Sequence, residues 1–107
     1  MAIRLFAGER RYAMESNLFD DFVYQRYSDV IHYLRNYKLQ LLSIDFELKS
    51  GTGYDALLWI EKEMSINPKF NPPKEIVVGS ASPVERAKMQ MLISSIKRWG
   101  NKQGDIL

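Results

Sequence analysis

Apolar and polar positions along this chain follow a period of two and a period near 3.6 in alternation. Ala2 to Phe6 puts Ile3 and Leu5 on one side of a short strand. Ala7 to Arg11 is a charged turn, and Met14 to Asp21 reads as irregular or at most one helical turn. Phe22 to Arg26 sets Phe22, Tyr24 and Arg26 against Val23 and Gln25, a second strand. Then the period changes. Ser28 suits a helix N-cap and Asp29 its first turn, and Val30, Ile31, Leu34 and Tyr37 form a stripe reaching about Tyr37. Leu41 to Phe46 is the most apolar run and is expected as the central strand.

Lys49-Ser50-Gly51-Thr52-Gly53 follows as a loop opening a helix from about Tyr54 to Met64, with Leu57, Leu58, Ile60 and Met64 on the core side. Asn67 to Lys74 contains three prolines and is loop. Ile76 to Val78 is the last strand. Ser82-Pro83-Val84-Glu85 is a capping box with proline at the first helical position. Its helix is predicted to reach about Trp99, to turn Val84, Met91, Leu92 and Ile96 inward, and to end at Gly100, with residues from about 100 to 107 frayed. Strands alternating with helices imply an α/β fold with parallel strands and right-handed crossovers. At 107 residues, one domain is expected over 1–107.

Composition narrows the chemistry. There is no cysteine, which excludes disulfides, thiolate catalysis and cysteine-type zinc sites. No apolar run nears the roughly 18–20 residues that span a bilayer, and residues 1–11 hold no apolar signal core, so the cytoplasm is the expected address and no membrane partner is expected. The net charge of +2 gives no strong signal for nucleic acid, and the basic lean of Arg86, Lys88, Lys97, Arg98 and Lys102 fits a solvated helix face. His32 sits in the first long helix, remote from the strand ends, and no Ser-His-Asp set can be drawn from it. Trp59, Trp99 and the tyrosines have the chemistry to stack bases, but at their helical spacings such residues are more often core or boundary residues.

Parallel sheets bind ligands at the carboxyl ends of their strands. Asp45 and Glu47, two apart at the end of the apolar strand, would share one face if the strand continued that far. With Glu9 they offer hard oxygen ligands for magnesium. Ser80 offers a hydrogen bond to a phosphoryl oxygen, backbone N–H groups around Gly51 to Gly53 offer an anion seat at a helix start, and Arg26 offers charge-assisted bonds.

Four segments carry a resemblance: Leu5-Phe6-Ala7-Gly8-Glu9-Arg10, Leu42-Ser43-Ile44-Asp45-Phe46-Glu47-Leu48, Gly51-Thr52-Gly53-Tyr54-Asp55, and Val78-Gly79-Ser80-Ala81-Ser82-Pro83-Val84. In this order the chain resembles the cyclic-phosphate processing receiver-like family, a compact relative of response-regulator receiver domains, from Ile3 to about Trp99. The resemblance implies a three-layer α/β/α, flavodoxin- or receiver-like fold with about four parallel strands in the order 2-1-3-4. It makes Asp45 the counterpart of the phosphoacceptor. Taken with the strand-end placement, the candidate roles are Asp45 and Ser80 as catalytic residues, Glu9, Asp45 and Glu47 toward Mg2+, and Arg26, Thr52, Gly53 and Ser80 toward phosphate. Glu9, Arg10, Asp45, Thr52, Gly53, Tyr54, Asp55, Ser80 and Pro83 match the family pattern. Ala7 and Gly8 stand at its paired aspartates, Phe46 and Gly79 at its two histidines, and Glu47 at its second strand-three aspartate. Fewer anionic oxygens weaken a divalent site, and the lost histidines remove a general acid and base.

Three readings follow. One is a catalytically weakened module binding a nucleotide, a phosphorylated end or a protein partner. Another is an active metal-dependent enzyme of phosphoryl transfer or cyclic-phosphate hydrolysis, rebuilt on Glu9, Asp45 and Glu47. The last is a dimerising interaction domain without phosphate chemistry.

Overall fold

The computed structural model describes residues 2–8 and 19–106, with side chains described for 3–8 and 22–100. Glu9, Arg10 and the irregular stretch expected before residue 19 lie outside the described residues. In chain order the elements are β1 (Ala2–Ala7), β2 (Phe19–Tyr24), α1 (Tyr27–Asn36), β3 (Leu41–Ile44), β4 (Glu47–Leu48), β5 (Gly51–Thr52), α2 (Gly53–Ile66), β6 (Glu75–Val78) and α3 (Pro83–Ile106).

Four strands form a parallel sheet in the order β2-β1-β3-β6, as expected, with β3 inside it. Leu5 pairs with Phe22 on one side and Leu42 on the other, and Leu42 pairs with Ile76. Leu5, Leu42, Ile44 and Ile76 belong to one continuous core with Val30 and Leu34 of α1, Leu57 and Ile60 of α2, and Met89, Ile93 and Ile96 of α3. One cluster containing residues of three helices places those helices on a single face of the sheet. That is what right-handed crossovers running in one direction produce. Residues 9–18, which connect β1 to β2 in the opposite direction, lie outside the described residues. The architecture is a receiver- or flavodoxin-like α/β fold.

Several boundaries differ from the sequence expectation, each for a tertiary reason. β2 starts at Phe19, not Phe22, and ends at Tyr24, because its ladder follows β1 from Ala2 to Ala7. The N-cap of α1 is Arg26, not Ser28, since the Tyr27 N–H is held by the Lys49 carbonyl at 2.9 Å and the helix starts from that bridge. Tyr37 is the C-cap and is exposed.

β3 stops at Ile44, and the segment expected as loop is a small antiparallel hairpin, β4 with β5, turning through Ser50 at φ 63°. Leu58 is exposed rather than core. On α3 the expected period is right and its phase is wrong for two residues. Val84 and Met91 are 71% and 74% exposed, while Met89 and Ile93 are buried with Ile96. α3 also runs through Gly100 instead of ending there. A glycine inside a helix costs about 1 kcal/mol. Gly100 sits against the Met64 side chain, and the neighbouring Trp99 Nε1 donates to the Met64 carbonyl at 3.4 Å, which holds this turn on α2.

Candidate functional site at the carboxyl end of the sheet

Asp45 follows the last residue of β3 and is 3% exposed. Its N–H donates to the Ala7 carbonyl at 2.8 Å, so the central strand carries it just past the ladder. Its Oδ1 accepts the Ser80 N–H at 2.7 Å. The Phe46 N–H in turn donates to the Ser80 carbonyl at 2.9 Å, which clips the segment after β6 to the segment after β3.

Two glycines allow this packing. Gly8 has φ 131°, and a Cβ there would run into the Asp45 carboxylate. Gly53 opens α2, and a Cβ there would run into the Asp45 carbonyl oxygen. The Gly53 N–H donates to the Phe46 carbonyl at 2.7 Å. Thr52 is the N-cap of α2, its Oγ1 accepting the Asp55 N–H at 3.0 Å. Both residues therefore have a structural task at the helix start.

Asp45, Glu47 and Ser80 line one cleft of about 330 Å³, with Phe46, Ala81, Ser82 and Glu85. The period-two argument for Asp45 and Glu47 does not apply, since the strand has ended; the chain bends at Phe46, leaving Asp45 buried and Glu47 exposed on β4. The capping box forms as predicted. Glu85 Oε1 accepts the Ser82 N–H at 2.8 Å, and Ser82 Oγ accepts the Glu85 N–H at 3.2 Å. Among the described residues the cleft presents three carboxylates and no cation.

Arg26 lies elsewhere. It lines a separate hollow of about 530 Å³ with Val23, Tyr24, Gln25, Asp29 and Lys49. Sequence reasoning missed Arg86, whose guanidinium donates to the Val78 and Gly79 carbonyls at 3.2 and 2.7 Å and pins the start of α3 to the end of β6. It also missed Lys49, which bridges across to Arg26. A basic residue gives no signal of which distant carbonyl or strand it will meet.

The family model of the cyclic-phosphate processing receiver domain matches residues 5–95. The chain belongs to this family. No curated protein matches it. Among solved structures, the phosphorylated cyanobacterial phytochrome response regulator RcpA is similar to this receiver-like domain with a TM-score of 0.46 and 12% identity, over 92% of this chain and 94% of that one.

For this domain the magnesium expectation can be tested against the donor set. Ala7 and Gly8 bring no carboxylate to Asp45, and Gly8 has its backbone where the Asp45 side chain packs. Among the described residues no three acidic or histidine side chains come together to hold an ion. Glu9 lies outside the described residues. The described residues do not fit a divalent ion.

Proposed function

We propose that this receiver-like domain is a binding module in which phosphate chemistry is reduced. The observation that carries the reading is the packing of Asp45. Its carboxylate lies against Gly8 and accepts the Ser80 N–H, in a cleft whose other described charges, Glu47 and Glu85, are also negative. Phosphate chemistry at an aspartate needs cationic groups where negative charge develops. Two further carboxylates work against that need, since an incoming phosphoryl group would meet like charge there. Asp45 instead ties the ends of β3 and β6 together, a structural use of the position where relatives place their acceptor.

The ligand of such a module is a nucleotide, a phosphorylated end or a protein partner. The test is hydrolysis of a 2′,3′-cyclic nucleotide by the full chain with magnesium or manganese, wild type against Asp45→Asn. The expected result is no metal-dependent turnover in either protein. Turnover in the wild type that Asp45→Asn abolishes would establish the enzyme reading instead, with Glu9 completing a metal site.

A further inference from the structure

We propose that the hollow at the carboxyl end of β2 is an anion site, in which Arg26 and Lys49 bind a compact dianion of the phosphate monoester type. The inference rests on the binding-module reading and gives it a place and a ligand chemistry.

The backbone sets the geometry. Arg26 and Lys49 are partners in an isolated parallel bridge, fixed by the Tyr27 N–H donating to the Lys49 carbonyl at 2.9 Å and the Lys49 N–H donating to the Gln25 carbonyl at 2.8 Å. Partners in a parallel bridge project to the same side, with backbones about 5 Å apart. Two cations are thus held side by side by main-chain bonds, and like charges so placed repel. Among the described residues neither makes an ion pair, although Asp29 lines the same hollow. One carboxylate would in any case balance only one of the two.

Arg26 and Lys49 both line the hollow and are exposed at its rim, free to turn toward a ligand. Tyr24 forms part of the wall. A phosphate monoester brings a double negative charge and three acceptor oxygens, which suits a planar guanidinium beside a compact ammonium. The Asp45 cleft has the opposite character, so an anion arriving at this end of the sheet is directed to β2 and away from Asp45.

Amide NMR titration of the full chain with inorganic phosphate and with phenyl phosphate, at ionic strength held constant with chloride, tests the site. Shifts are expected to concentrate at Gln25, Arg26, Tyr27 and Lys49. Arg26→Gln and Lys49→Gln should each weaken binding about tenfold, while Lys88→Gln should leave it unchanged. In phosphate-free buffer each single variant should melt slightly higher than wild type, because one repelling charge is gone; phosphate should raise the wild-type melting temperature more than that of either variant. Shifts centred on Ser80 to Ser82, no saturable shifts, or binding indifferent to both variants would overturn the site. That failure would leave the module reading intact, since the hydrolysis assay tests it separately. A response to phosphate and phenyl phosphate alike identifies phosphate as the recognised group, and a response to sulfate of equal strength would identify an adventitious ion only and overturn the assignment.

Discussion

Asp45 keeps its position in the family pattern, and in the fold it has a structural task. Its carboxylate accepts a backbone N–H and its neighbours Gly8 and Gly53 leave no room for a side chain beside it. Asp45→Ala should therefore destabilise the domain by about 1–3 kcal/mol, the cost of leaving the part-buried Ser80 N–H without its partner. Asp45→Asn keeps an acceptor oxygen and should cost markedly less; urea unfolding of the two variants checks the order. A second residue-scale device is the ring cluster of Phe22, Tyr24, Tyr33 and Tyr37, with neighbouring centroids 4.7–5.1 Å apart. The Tyr24 and Tyr33 hydroxyls share a hydrogen bond of 3.0 Å, which, with loss of solvent, pushes the Tyr33 phenol up to about 12. The unfolded chain releases this proton near 10 and the folded chain holds it longer, so the folded state binds more protons between those values. The contribution is complete below pH 10 and is lost as pH rises from 10 through 12. Denaturant unfolding across that range should show falling stability, with a shallower slope in Tyr33→Phe.

Element types follow from local pattern, and element phase follows from neighbours. The capping box at Ser82 and Glu85 was readable because both hydrogen bonds lie within four consecutive residues. The three-proline loop and the inner position of β3 were readable for similar reasons: proline removes donors locally, and the most apolar strand of a parallel sheet needs neighbours to cover it. The phase of α3 was not readable at its start, where Val84 and Met91 carry the same apolar signal as Met89 and Ile93. Ile93→Ala should cost about 2–5 kcal/mol as a core truncation, whereas Met91→Ala should stay within about 0.5 kcal/mol. Equal losses in thermal unfolding would show that the stripe lies elsewhere. The start of α1 was hidden for another reason. Arg26 precedes the helix because its bridge partner Lys49, 23 positions further along the chain, supplies the first backbone bond of the helix.

Across the whole molecule, four parallel strands bring their carboxyl ends to one edge, and among the described residues the charges there are separated. An acidic cleft over β3 and β6 holds Asp45, Glu47 and Glu85, and a basic pair stands beyond β2. The sequence pattern put Asp45, Glu47 and Ser80 at the carboxyl edge of the sheet, where they line one cleft, because strand order and crossover hand follow from alternation of elements. It did not separate Arg26 from Asp45, since the division depends on where the β4–β5 hairpin lands. Nor did it show that Thr52 and Gly53 would be engaged in starting α2. Among the described residues no helix is long and apolar enough to cross a membrane. The central claim is that Asp45 serves the fold and not a metal-dependent reaction. Thermal unfolding of wild type and Asp45→Asn in a magnesium titration tests it most directly, because an ion held by the folded state raises the melting temperature with its concentration. The account predicts the same, magnesium-independent response in both proteins. A rise with magnesium in the wild type that Asp45→Asn removes would contradict it.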